Sequence, residues 1–294
     1  ILVDVAREDA SVIVSDLREY GLEAEGSIAM EDIDSMVSEA GERAEKAAVG
    51  MPSDAVVWEE VEARTSENTE LSASFLLFMV LACLIGTVGI LLDSPILIIG
   101  AMVVGPEFGP LAGFCVAVVQ RRRSLAKRSA LPLLVGFPLG ITAAYLFSLV
   151  VNKTGLTPEG FSTGSHPNTY FISHPDEFSI MVALFAGTAG TLSLTNAKSG
   201  ALVGVLISVT TIPAAANIGL ALAYGDIDEW IGAQGQLIVN LSCIALAGIT
   251  TLYVQRRLYQ RRRRAHLRDE AREAGGLPVG ESRRRKATAA RGRA

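Results

Sequence analysis

The sequence predicts a polytopic α-helical membrane protein of about six spans, some of them broken, preceded by a small, partial α/β domain of ferredoxin-like type. Three observations carry this expectation. Hydrophobic residues make up 50% of the 294 residues, and the mean hydropathy is +0.37, too apolar for an ordinary soluble domain of this size. The apolar residues are gathered into 71–254, in several runs of about 20 residues or more, each long enough to cross a ~30 Å hydrocarbon core. Charge is segregated too. Residues 1–70 hold 19 Asp/Glu against 5 Lys/Arg, and residues 255–294 hold 14 Lys/Arg against 4 Asp/Glu, so the overall net charge of −5 hides a strong dipole along the chain. The expected domains are therefore 1–70, an acidic cytoplasmic α/β domain with a lead-in helix; 71–254, the transmembrane domain; and 255–294, a basic disordered cytoplasmic tail.

The N-terminal elements follow from pattern. Ile1-Leu2-Val3-Asp4-Val5-Ala6 is β-branched and reads as a strand. Glu8 to Tyr20 places Val12, Ile13, Val14 and Leu17 for a helix that Gly21 stops. Ser27-Ile28-Ala29-Met30 reads as a second strand. Ile33 to Val49 has apolar residues at helical spacing. Strand–helix–strand–helix is about half of a ferredoxin-like unit, which points to a truncated or intertwined domain. The chain also opens at Ile1 without a Met, and we expect its natural start to be missing. Asp54 to Asn68 reads as an amphipathic helix leading into the membrane, with Trp58 near the interface.

Six spans are expected at 71–92, 95–119, 130–151, 178–196, 199–224 and 230–254. Arg121, Arg122, Arg123, Lys127 and Arg128 join spans two and three. Lys198 lies between four and five, and Arg256, Arg257 and Arg261 to Arg264 follow six. Basic loops stay in the cytoplasm, so both termini are expected there and loop 152–177 outside. The tail beyond 265 has no apolar face. Its Arg283-Arg284-Arg285-Lys286 cluster suits anionic lipid better than nucleic acid, which is not expected as a partner. Cys83, Cys115 and Cys243 all lie in apolar runs and read as small packing residues, with no disulfide or metal spacing.

Within span two, Glu107 stands in the string Gly105-Pro106-Glu107-Phe108-Gly109-Pro110. A carboxylate at bilayer depth costs roughly 2.5–3.5 kcal/mol on insertion scales. Two prolines interrupt the helix, and broken backbone at that depth survives only where protein covers it or where it lines a wet cavity. The candidate solute- or ion-binding residues are Glu107 with Gly105, Pro106 and Gly109, joined by Thr210, Thr211 and Asn217 around Pro213 in span five. Glu107 also has a structural reading, as a carboxylate held by the N-terminus of a half-helix starting near Pro110. The Thr and Asn groups have one too, bonding backbone freed by the proline. Asp93, in Leu92-Asp93-Ser94-Pro95, reads as an N-cap or a ligand. Asn196 reads as a loop residue or a ligand, and Asn240 as helix–helix glue. Spans one to three and four to six are separated by three spans, so related halves would be inverted. Aligning Pro110 with Pro213 pairs Asp93 with Asn196 and Glu107 with Thr210, as an inverted repeat would.

Enzyme chemistry is poorly supplied. His166, His174 and His266 lie outside the spans, and there is no HExxH, P-loop or G-x-S-x-G string. No cofactor is expected. The run Asp93-Ser94-Pro95-Ile96-Leu97-Ile98-Ile99-Gly100-Ala101-Met102-Val103-Val104-Gly105-Pro106-Glu107-Phe108-Gly109-Pro110-Leu111 resembles the signature of a bacterial membrane family known as domain of unknown function 389. The resemblance extends over most of 1–254, including Gly26-Ser27-Ile28 and Ala55-Val56-Val57-Trp58-Glu59. It implies a multi-span protein of the bacterial inner membrane with a cytoplasmic α/β region, and it supplies no substrate. The residues themselves favour a transporter of a small solute or ion with a site at broken spans two and five, regulated by the cytoplasmic domain. A ligand-sensing or channel-like protein is the alternative, and an intramembrane enzyme a distant third. Small residues in the spans and open sheet edges lead us to expect a homo-oligomer in the bilayer.

Overall fold

The computed structural model describes the chain apart from residues 1, 2, 4, 23–25, 32–37, 40, 43–45, 47–55, 68, 164–166, 196–210 and 267–294. Its helices are α1 (Arg7–Glu19), α2 (Trp58–Glu67), α3 (Ala73–Leu91), α4 (Pro95–Val104), α5 (Phe108–Gln120), α6 (Arg123–Thr154), α7 (Glu177–Thr195), α8 (Ile212–Tyr224) and α9 (Ile227–His266), with a 3-10 turn at Tyr170–Ile172. They divide between two compact units. One comprises Ile1–Glu60, Thr195–Ala197 and Tyr253–Ala294, and the other Val61–Leu194 and Lys198–Leu252.

The first unit corrects the α/β expectation, since no strand occurs among the described residues. Ser27 to Met30 forms no regular secondary structure. Much of the first strand candidate and most of the second helix candidate lie outside the described residues. A β-branched run becomes a strand only when a neighbour takes up its backbone N–H and C=O groups, and the described residues supply none. What forms instead is helical packing. The Ser11 hydroxyl accepts from Trp58 N at 2.9 Å and donates to Glu59 Oε2 at 2.5 Å. Arg7 pairs with Glu60 at 2.8 Å. Trp58 is buried beside the ring of Tyr259.

The second unit is a bundle of apolar helices. Four described helices (α3, α6, α7, α9) are long and apolar enough to cross a membrane, and α4 with α5 makes a fifth, bent by 55°. Expected span five, 199–224, falls partly outside the described residues. Its described part, α8, has 13 residues, fewer than the ~20 a helix needs to span alone. Each boundary has a local cause. Ser72 caps α3 by accepting from Phe75 N at 3.1 Å. Pro95 opens α4, where its missing N–H is harmless. The same chemistry ends α4, because Gly105 is extended (φ −62°, ψ 127°) ahead of Pro106. Asp176 opens α7 by accepting from both Ser179 N (2.7 Å) and Ser179 Oγ (2.8 Å), bonds that hold its carboxyl below the usual carboxylate range. Pro213 sits in the first turn of α8, and Gly225 (φ 77°) follows its last.

Small residues set the helix spacing. Gly219 of α8 lies directly against the backbone of α6 at Ile141 and Tyr145. Gly86 of α3 faces Ala216 of α8 and Ala101 of α4, and Gly140 of α6 faces the Cys83 sulfur. Bonds between turns mark the two ends of the unit. At one end, Thr163 Oγ1 donates to Asp226 Oδ2 at 2.6 Å, and Asp93 takes bonds from Asn168 and Thr169. At the other, Arg122 pairs with Glu62 and Arg128 with Glu70 at 3.2 Å. Basic residues thus gather at the end opposite Asp93 and Asp226.

Candidate functional site

The break in the bent pair and the start of α8 meet. Glu107 occupies the N-cap position of α5 in a helical conformation (φ −68°, ψ −22°), yet its side chain caps nothing. Its carbonyl accepts from Leu111 N at 3.2 Å. Its carboxylate reaches α8 instead, where Oε1 accepts from Thr211 Oγ1 at 2.7 Å. Oε2 is fully buried with no hydrogen-bond partner. The half-helix begins at Phe108 rather than near Pro110, so Glu107 does stand at its N-terminus, but its side chain makes no capping hydrogen bond there. Gly109 and Pro110 form the first turn of α5, where backbone N–H groups have no helical partner in any case. Gly105 is needed for space: a Cβ there would touch Glu107 Oε2 and stand 2.7 Å from Ile212 Cγ1. Pro106 is half-buried beside it.

Asn217 belongs elsewhere. Six positions on a helix of 3.6 residues per turn differ by about 120° in direction, so Asn217 points away from the side that Thr211 serves. Its Nδ2 donates to Glu229 Oε1 at 2.9 Å. The same oxygen accepts from the Ser173 hydroxyl. Glu229, Asn217 and Ser173 are all buried, and Asn217 Oδ1 has no partner. Gly232, one turn beyond Glu229, leaves the room through which the Ser173 carbonyl passes against α9. Ser173 Oγ lies 3.1 Å from His174 Nδ1, and that nitrogen is also 3.1 Å from the Tyr170 carbonyl. The His174 ring stacks on Tyr170 and is exposed. Further along α9, Gln236 and Asn240 are buried as well. Gln236 Nε2 donates to Asn240 Oδ1 at 3.3 Å, and Gln236 Oε1 is unpartnered. Residues 229, 236 and 240 are seven and four apart, which places them on one helix face.

Reasoning from sequence missed Glu229, Ser173 and Gln236. Glu229 reads as a loop acid beside Asp226 and Asp228, and only the 229–236–240 spacing marks it as part of a buried stripe. Thr210 and Asn196 lie outside the described residues. Asp93 is neither N-cap nor part of the Glu107 site. Ser94 holds the N-cap position of α4, while Asp93 adopts a left-handed backbone (φ 45°). Its carboxylate accepts from Asn168 N (3.3 Å), Asn168 Nδ2 (2.8 Å) and Thr169 Oγ1 (3.0 Å). We expect Asp93→Ala to lower stability by about 1–3 kcal/mol, the usual cost of stranding donors of a charged acceptor. Asp93→Asn, which tolerates the left-handed backbone, should cost less. Thermal unfolding of both variants in detergent checks this, and equal loss in the two would contradict the bonding role.

A set of long apolar helices, one of them broken around a buried acid, defines a multi-pass helical membrane protein. Residues 102–246 match the model of the family described as "Domain of unknown function (DUF389)". The match covers less of the chain than the resemblance read over most of 1–254. The chain is also similar to the uncharacterized protein MJ0678 of Methanocaldococcus jannaschii, at 26% identity over 194 residues, covering 66% of this chain and 58% of that protein. It thus spans 58% of the length of that relative. No solved structure matches.

Proposed function

We propose that the protein is a transporter of a small solute or ion, with its site where the α4–α5 break meets the N-terminus of α8. The observation that carries this reading is Glu107 Oε2, a buried carboxylate oxygen with no protein partner. Keeping an acid among apolar helices is costly. A carboxylate there for stability alone would be expected to have both oxygens bonded. A cation, a proton or the positive part of a solute satisfies Oε2, and Thr211 holds the other oxygen in place. Pro106 and Pro213 mark both elements of the site, as paired interrupted helices do in transporters built from inverted repeats. The reading includes that repeat, a homo-oligomer in the bacterial inner membrane, and cytoplasmic termini with the Arg122–Arg128 end inside. It assigns no enzyme activity.

The test is ligand-linked stability. Purified protein in detergent is melted with Na+, K+ and a panel of small amines and amino acids, each of which stabilises only if it binds the folded state. At least one should raise Tm for the wild type and lose its effect in Glu107→Gln, while the variant itself still folds. A variant that keeps every response of the wild type removes Glu107 from the site.

A second reading has its own observation. In the first unit a half-open hollow of about 210 Å³ is lined by Val14, Ile28, Met30, Arg18 and Glu59. Its apolar wall and opposite charges suit a small metabolite, as a sensor or regulated transporter needs. A ligand whose stabilisation survives Glu107→Gln and is lost in Arg18→Ala would favour that role.

A further inference from the structure

The buried polar groups on α9 form a sequence with a direction. It starts at the exposed His174, continues through Ser173 to Glu229, and runs down the helix to Gln236 and Asn240. From 229 to 240 this covers roughly 16 Å along the axis. Leu241, next to Asn240, packs in the same apolar cluster as Phe108, next to Glu107. Two atoms along the file, Asn217 Oδ1 and Gln236 Oε1, are buried and unpartnered, in residues almost wholly hidden from solvent. Buried acceptors of this kind are usually met by ordered water or by a bound group.

We propose that His174, Ser173, Glu229, Gln236 and Asn240 form a proton-intake path toward Glu107, with Glu229 as the station that is protonated. The inference rests on the transport reading for its purpose, and it names the proton as the coupling ion. The chemistry of the partners supports it. Ser173 and Asn217 can each donate or accept, so both can serve Glu229 in either protonation state. In the ionised state the Asn217 amide and the Ser173 hydroxyl donate to the carboxylate. A proton taken up from water at His174 Nε2 releases the one on Nδ1 to Ser173 Oγ, and the hydroxyl proton passes to Glu229 Oε1. The imidazole is left neutral, the hydroxyl is restored, and the carboxylate has become a carboxylic acid. The new O–H can then donate to the Asn217 amide oxygen once the amide turns over. His174 Nδ1 is shared with the Tyr170 carbonyl, which holds the ring over the port. Titratable groups on the elements bonded to Glu229 are His174, Tyr170 and Asp176 on and beside the 3-10 turn, Tyr224 on α8, and Asp226 and Asp228 on its own turn. Asp226 Oδ1 accepts from Glu229 N at 3.1 Å.

Infrared difference spectroscopy on the full chain in lipid nanodiscs, stepped in pH, reads carboxyl protonation without any solute. The wild type should show a buried carboxylic C=O band that grows as pH falls. Glu229→Gln should remove it, and Asn217→Leu and Ser173→Ala should each shift it. His174→Ala should leave the band in place but slow its appearance severalfold after a pH jump. Should Glu229→Gln fail to fold, the Ser173→Ala shift decides the matter, since that variant keeps the carboxylate. Bands unchanged by Glu229→Gln, or by Ser173→Ala, would overturn the path. A band lost only in Glu107→Gln would also overturn it while leaving the transport reading intact. A Glu229 band in a protein that shows no ligand-linked stabilisation would do the reverse.

Discussion

Gly219→Val should prevent the second unit from assembling. A Cβ at Gly219 would stand 2.6 Å from the Ile141 carbonyl oxygen, 2.7 Å from Tyr145 N and 2.8 Å from Ala144 Cβ. These are mostly backbone atoms of one long helix, so no rotamer change can make room. The helices must separate, and α8 would then lose its seat on α6. Overpacking costs typically 1–3 kcal/mol where side chains can adjust, and here the cost should lie at or above that range. Gly219→Ala should be milder but clearly destabilised. Yield and size-exclusion profile in detergent, followed by Tm, measure this. A Val variant with wild-type yield and Tm would mean that the α6–α8 contact is looser than described.

Gly105→Ala should damage stability and ligand response together. Its methyl meets Ile212, which is fully buried, and also the unpartnered oxygen of Glu107. The first clash should cost about 1–3 kcal/mol, and the second displaces the carboxylate from its seat beside Thr211. Adding Ile212→Ala separates the two effects. Space returns on the isoleucine side, so Tm should recover in part, while the ligand-induced shift stays lost. Recovery of both in the double variant would show that Gly105 serves packing alone.

Much of this arrangement was legible in the sequence, because the signals were local. Apolar runs announced the long helices, and Pro106 announced the break between α4 and α5. Glu107 was legible because a carboxylate inside an apolar run has few innocent explanations. Its bond to Thr211 followed from the expectation that the two interrupted elements meet. The missed features depend on contacts distant in sequence. Ser173 looks like one more hydroxyl in a polar loop until Gly232 lets its backbone lie against α9. Glu229 follows two aspartates at a turn, so composition assigns it to solvent, whereas the fold covers it. Asn217 was grouped with Thr211 by nearness in sequence, and helical geometry separates them. Ser27 to Met30 formed no strand for a related reason: strand propensity describes a surface awaiting a partner, and pairing is not a local property.

The free thiols have a practical consequence. Cys83 and Cys115 are buried, the first in the notch at Gly140 and the second beside Gly248 and Thr191. Neither can meet a maleimide without parting the helices around it. One thiol therefore watches the seam between α3 and α6, and the other watches the seam between α5 and α9. With the half-buried Cys243 replaced, the alkylation rates of these two thiols would report any opening of either seam.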